Sequence, residues 1–249
     1  DFNPVLRHFL KKSIDGLKKS EHILAISQFT KNELVQKLGI NEDKVTVTYL
    51  GFDKRIFLSK NKQLARKVLG FENAHEIILN VGSEEPRKGV DIALKAFSII
   101  LRTHPDAIFV RVGEKTKKTE KLIKDLKLEK RVFYFSNVSE IQLSDFYNAS
   151  DVLLFCSRQE GFGLPLLEAS ACGTPSVCND NSSIKEITGK HAFFAEELSE
   201  NGFAEAVLKC LEDKKKHREA SMNALKNAEN FSWQKCAEQT IKVYKKVLF

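Results

Sequence analysis

The chain has 249 residues, 42% apolar and 29% charged, ordinary proportions for a soluble globular protein and far from the disordered class. Forty basic against 33 acidic residues leave a formal net charge of +7, which suits an anionic ligand, a membrane surface or nucleic acid without choosing among them. No apolar run reaches the ~18 residues of a membrane span, the polar, lysine-rich opening is not expected to be a secretory leader, and Cys156, Cys172, Cys178, Cys210 and Cys236 contain no CxxC pair, so reduced thiols and a soluble cytoplasmic protein are expected.

In chain order, His8–Lys19 reads as a basic helix, followed by a strand-like run at His22–Ile26, a second helix and a break at Gly39–Asp43. That is too little to close a sheet, so residues 1–40 are expected to be the tail of a domain that begins upstream. Further apolar runs lie at Val45–Tyr49, Glu76–Val81, Ala107–Val112, Arg131–Phe135, Val152–Phe155, Pro175–Cys178 and Ala192–Phe194. Their brevity and their β-branched or aromatic content predict parallel strands buried on both faces. Amphipathic stretches separate them: Val90–Arg102, Thr119–Leu128, Glu140–Asn148 and Leu164–Ala171. Val90, Ala93, Leu94, Phe97 and Ile100 share one face of the first. This alternation predicts an α/β fold, a Rossmann-like doubly wound parallel sheet over residues 41–230. Residues 231–249 close the chain with a long amphipathic helix, Ser232–Leu248, that carries the only tryptophan, Trp233.

In such sheets ligands sit beyond the carboxyl ends of the strands. After Val81 comes Gly82-Ser83-Glu84-Glu85-Pro86-Arg87-Lys88-Gly89. Its adjacent cations can fork onto a diphosphate with help from helix amides, although an isolated Arg-Lys pair is better read as a solvated turn. After Phe155 comes a loop containing Glu160-Gly161-Phe162-Gly163-Leu164-Pro165, with Glu168 in the following helix. The glycines permit close backbone approach, and Pro165 suits a first helical turn. Two carboxylates bracketing an amide-rich turn can accept hydrogen bonds from several hydroxyls at once. Taken separately, Glu168 is a helix-face charge and Glu160 complements a helix dipole. Gly173 reads as a left-handed helix cap. The polar loop Asn179–Ser183 could touch a ligand, but loops are usually just polar.

Together these segments resemble the retaining, GT-B-fold glycosyltransferases of glycosyltransferase family 4, or group 1. Glu160-Gly-Phe-Gly-Leu-Pro-Leu-Leu-Glu168, followed by Ala-Ser-Ala-Cys-Gly-Thr-Pro175, reproduces the family's E-x7-E signature over sixteen contiguous positions. Supporting matches are Ala25–Thr30, Thr48–Asp53, Val81-Gly82 with Lys88-Gly89, Tyr147–Asp151, and the helix after Phe231-Ser-Trp233. The resemblance implies that 41–230 is the donor-binding domain, 1–40 a remnant of the acceptor-side domain, and 231–249 the crossover helix.

It further implies a transferase that moves a hexose from a GDP- or UDP-linked sugar to a glycan or lipid-linked acceptor, with retention, in polysaccharide biosynthesis. Glu168 would accept from the ribose hydroxyls. Glu160 would sit beside the transferred sugar, and Lys88 would stabilise the leaving diphosphate. The amides of Gly161, Phe162, Gly163 and Leu164, with Gly82 and Ser83, would line the donor site. No metal or other cofactor is implied. The family commonly has an arginine where this chain has Ser83, and Arg87 beside Lys88 is expected to supply that cation. None of the six histidines falls in a matching pattern.

With 1–40 expected to be only a remnant of the acceptor-side domain, the isolated chain is expected to bind donor but to be incomplete for catalysis. The alternative is a non-catalytic nucleotide-sugar-binding module or subunit. Lys11, Lys12, Lys18 and Lys19 could meet anionic headgroups at the inner face of the membrane, although a solvated helix explains them more simply. Solvated helix faces also explain clusters such as Lys214–Arg218, so no nucleic-acid partner is expected. The chain carries neither a GxGxxG dinucleotide fingerprint nor a P-loop.

Overall fold

The computed structural model describes residues 4–248. The elements in chain order are α1 (Pro4–Lys19), β1 (Ile23–Ala25), α2 (Gln28–Leu38), β2 (Val45–Val47), α3 (Lys62–Leu69), β3 (Ile77–Val81), α4 (Val90–Ile100), β4 (Ile108–Val112), α5 (Lys117–Asp125) and β5 (Val132–Phe135). They continue with α6 (Glu140–Ala149), β6 (Val152–Phe155), α7 (Leu164–Cys172), β7 (Ser176–Cys178), α8 (Ile184–Thr188), β8 (Phe193–Phe194), α9 (Glu200–Glu212), α10 (Lys214–Ala228) and α11 (Trp233–Leu248).

These elements form two compact units. One holds the chain up to Gly51 together with α11. Within it β1 and β2 pair in parallel, Ile23 opposite Val45 and Ala25 opposite Val47. Ile23, Ala25, Ile40 and Val45 make its small core, with Leu17, Leu34 and Leu38 packed against them. The Ser27 side chain caps α2 by accepting from the Thr30 amide, and Gly39 ends it in the left-handed conformation.

The run at Val45–Tyr49 is therefore not a strand of the large sheet, as its sequence suggests, and the units part after Gly51 rather than after residue 40. Apolar content identifies a strand but not its neighbour. The far division falls after Phe231, whose ring meets that of Phe162 edge-on at 6.1 Å.

The second unit, residues 52–231, is built on six parallel strands in the order β5-β4-β3-β6-β7-β8. Ile78, Leu79, Phe109, Val110, Leu153, Leu154 and Val177 have no exposed surface, as strands covered on both faces require. Phe97, Phe109, Phe203 and Val207 belong to one continuous core, and each large side chain there contributes about 1.5–3 kcal/mol through burial. The helix pairs α4–α9, α3–α6 and α7–α10 pack side by side.

Helices α3, α8 and α9 add to those the sequence suggests, and α10 runs well past the Lys214–Arg218 cluster that reads as a solvated helix face. The buried residues of α10 are Ala220, Ala224 and Ala228, a seam of small side chains at fourfold spacing that large-residue periodicity does not register. Among the described residues no helix is long and apolar enough to cross a membrane.

Candidate functional site

Strands β3 and β6 are neighbours, yet β3 leads to β4 on one side and β6 to β7 on the other. Their outgoing chains diverge and leave a crevice at this switch point, where open α/β sheets bind ligands. The two loops that open on it are 82–89 and 156–163, the pair singled out in the sequence. Gly89 holds them together: a Cβ there would come within 2.2 Å of the Cys156 carbonyl oxygen, and its φ of +64° is left-handed, so glycine is required on both counts. The Arg158 amide donates to the Arg87 carbonyl at 2.7 Å, and the Ser157 hydroxyl donates to the same carbonyl at 3.2 Å. The Arg158 guanidinium closes onto the Pro86 carbonyl.

Pro86–Lys88 forms a single 3-10 turn, with proline at its start and Gly89 after it. That turn delivers both cations to Glu160. Lys88 Nζ lies 2.6 Å from Oε1 and Arg87 Nη1 3.3 Å from Oε2. Glu160 is only 6% exposed, and a buried carboxylate of this kind is tolerated because it is paired. Arg87 also reaches Glu85 through Nε at 2.7 Å, and Ser83 donates to Glu85 at 2.9 Å. These two contacts hold the Glu85 carboxyl below the usual range, the serine hydroxyl contributing most. Arg87 Nη2 makes no bond among the described residues, so a donor remains for an incoming anion.

The backbone beneath Glu160 is fixed by the loop after β7. The Glu160 amide donates to Ser182 Oγ at 3.1 Å. The Ser183 hydroxyl donates to the Glu160 and Phe162 carbonyls, each at 3.0 Å. Asn181 donates to the Arg158 carbonyl at 2.9 Å. The Asn179–Ser183 segment therefore supports the site loop from within the fold.

Gly163, at φ +101°, turns the chain into α7. Leu164 opens the helix and is half-buried, and Gly161 is exposed. Phe162 is buried, its ring packed on Phe231, so its side chain serves packing. At Gly82 the N–H continues the sheet by donating to the Val112 carbonyl at 3.1 Å, and the carbonyl accepts from Arg111. Ser83 stays exposed on the loop.

Glu168 stands apart from the cation pair. Its carboxylate accepts from the Tyr147 hydroxyl at 2.8 Å. Burial is the main reason its carboxyl rises above the ordinary value of 4.5, while the phenol's hydrogen bond pulls the other way. Tyr147 has no exposed surface, and burial next to this carboxylate lifts its phenol well above 10.0. It therefore remains a donor at neutral pH.

Two residues escape the sequence reading. Tyr147 opens the stretch Tyr147–Asp151, where nothing in the sequence says that it meets Glu168. Arg111 lies in β4 with no exposed surface; its signal was there, a single charge inside the apolar run Ala107–Val112. Among the described residues no group of three or more His, Cys, Asp or Glu side chains could hold a metal ion.

Residues 61–227 match the family model described as glycosyl transferases group 1. The chain is 26% identical over 243 residues to O-antigen chain mannosyltransferase B of Escherichia coli, covering 95% of this chain and 64% of that protein. It is 28% identical over 238 residues to N-acetyl-alpha-D-glucosaminyl L-malate synthase of Bacillus anthracis, covering 94% of this chain and 61% of that protein. The chain thus spans less than two thirds of either relative.

Among solved structures it superposes on Anabaena Alr3699/HepE, crystallised with UDP and glucose, with a TM-score of 0.85 at 22% identity, covering 95% of this chain and 66% of that one. WaaG, a glycosyltransferase involved in lipopolysaccharide biosynthesis, gives 0.85 at 19% identity, covering 97% and 68%. At these identities the likeness establishes the fold, the doubly wound sheet of GT-B structures.

Proposed function

The chain belongs to the group 1 glycosyl transferases, and we propose that its 52–231 unit is the donor-binding part of a retaining, family 4-like hexosyltransferase that uses a GDP- or UDP-linked sugar. The observation that carries this reading is the junction of Lys88, Arg87 and Glu160 at the switch point, with Glu168 held separately by Tyr147. Lys88 and Arg87 meet the diphosphate and stabilise the charge that develops as it leaves, an electrostatic term that is commonly the largest in such catalysis. Glu160, partly neutralised by both cations, accepts from hydroxyls of the transferred sugar. Glu168, lacking a cation, accepts from the ribose. The cations do the work for which other phosphate sites recruit a metal, so the reaction proceeds without one. The acceptor, a glycan or lipid-linked sugar in polysaccharide assembly, is supplied from outside this unit.

Support for a peripheral membrane contact comes from α1, where Lys11, Lys12, Lys18 and Lys19 are exposed together with Phe9 and Leu10. Flotation with vesicles containing anionic lipid tests it; equal flotation with neutral vesicles contradicts it.

Calorimetric titration with UDP, GDP and ADP, first without and then with magnesium, tests the donor site. UDP or GDP is expected to bind without metal, and Glu168→Ala to weaken it by about 1.5–3 kcal/mol, the scale of hydrogen bonds to a charged group. Binding that requires magnesium, or affinity unchanged by the substitution, contradicts the reading. Retention is tested by the anomeric proton coupling of the transferred sugar in the product of the full-length protein.

A further inference from the structure

Arg111 has no exposed surface and no carboxylate in contact. Its guanidinium is spent on backbone: Nη2 donates to the carbonyls of Gly82 at 2.7 Å and Ser83 at 3.0 Å, and Nη1 to those of Val112 at 2.5 Å and Asn80 at 3.4 Å. Its Nε is buried without a partner. Desolvation lowers its affinity for the proton, and only Glu84 and Tyr134 oppose that. Glu84 itself is engaged by the Thr116 and Thr119 hydroxyls and the Tyr134 phenol. A cation buried against neutral carbonyls is an expensive way to fill space, since an apolar side chain of similar volume avoids the desolvation cost. Asn80 sits directly opposite Arg111 in the β3–β4 ladder, so the guanidinium lies under the carboxyl end of β3, where the phosphate-facing loop begins.

The geometry of the loop follows from this anchor. In a planar trans peptide the carbonyl of one residue and the N–H of the next point in opposite directions. Drawing the Gly82 and Ser83 carbonyls onto Arg111 therefore turns the Ser83 and Glu84 N–H groups away from the guanidinium. Neither of those N–H groups bonds another group among the described residues. We propose that Arg111 is a positioning residue for diphosphate binding: it orients the 82–84 peptides so that the Ser83 and Glu84 amides face the phosphates, and it sets a permanent positive charge beneath a loop whose residue 83 is uncharged. Arg111 touches no ligand; it acts through the two carbonyls it holds and through its charge. The inference rests on the donor-site reading above.

The test is calorimetric, on the unaltered chain, Arg111→Met and Arg111→Lys. The probes are inorganic pyrophosphate, whichever of UDP, GDP and ADP the unaltered chain binds, and the corresponding nucleoside. Arg111→Met is expected to weaken the nucleoside diphosphate and pyrophosphate at least tenfold while leaving the nucleoside within twofold. Arg111→Lys, which keeps the charge but not the fork, is expected to recover part of that loss. If Arg111→Met does not fold, the lysine variant carries the test through a threefold or greater loss confined to the phosphate-bearing probes. Equal losses for nucleoside and diphosphate mean a merely structural role and overturn the inference, as does unchanged diphosphate affinity. If the unaltered chain binds none of the three diphosphates, the donor-site reading fails and this inference falls with it, whereas binding that is indifferent to Arg111 overturns the inference alone.

Discussion

Glu160 and Glu168 lie eight residues apart in one signature and live in opposite electrostatic surroundings. Glu160 is buried, but two cations from the facing loop meet it. Glu168 is partly buried, and its partner is a neutral phenol. The first environment disperses negative charge into an ion cluster. The second keeps a concentrated carboxylate whose ionisation is opposed by burial. One residue type thus yields two tools: a member of a charged cluster suited to a reacting sugar and diphosphate, and a strong acceptor suited to a pair of hydroxyls.

Substitutions that remove one environment at a time sharpen this contrast. The largest effect is expected from Glu160→Ala, which leaves Lys88 without its partner in a mostly enclosed place; stability in urea should fall by about 3 kcal/mol. Arg87 adds little to that loss because its side chain is 45% exposed and water screens it. A change below about 1 kcal/mol would show that the cluster is held from elsewhere.

Next in size is a pH effect peculiar to Glu168. Its folded-state carboxyl is raised, so the folded chain holds this proton more tightly than the unfolded chain. The stability linked to it is fully present below the ordinary value of 4.5 and is lost as pH rises through the raised folded value. Urea unfolding across that window should show the unaltered chain losing stability relative to Glu168→Gln. Parallel profiles would contradict the assignment. Donor binding has the opposite sign, because ribose hydroxyls need the ionised carboxylate, and it should strengthen as pH rises through the same window.

The smallest effect belongs to Tyr147→Phe. Loss of the phenol's hydrogen bond should cost about 1 kcal/mol and move the Glu168 window to higher pH, since that bond holds its carboxyl down. A window that stays in place would mean that the phenol does not set the carboxylate's character.

Much of this contrast was legible in the sequence, and the limits are instructive. The spacing of Glu160 and Glu168 around Gly163 and Pro165 identifies a loop and a helix start, because those residues have local backbone consequences. Lys88 and Arg87 could be named as cations at a strand end. That they meet Glu160 could not, because strand order is a property of the whole sheet: β3 and β6 are 70 residues apart in sequence and adjacent in space. The same reason hides the pairing of β2 with β1 and the contact of Tyr147 with Glu168. Arg111 was visible as a lone charge among apolar strand residues, yet its purpose needed the carbonyls it faces. The alanine seam of α10 shows the converse, an element whose buried face has too little hydrophobic signal to stand out from its lysines.

The most direct measurement is a calorimetric comparison of Glu160→Gln and Glu168→Gln, each titrated with pyrophosphate and with the nucleoside of the preferred donor. Glu160→Gln releases Lys88 and Arg87, so pyrophosphate should bind several-fold more tightly with the nucleoside unchanged. Glu168→Gln should lose the nucleoside and leave pyrophosphate as it was. Equal losses of both ligands in both variants would contradict the division of labour between the two carboxylates.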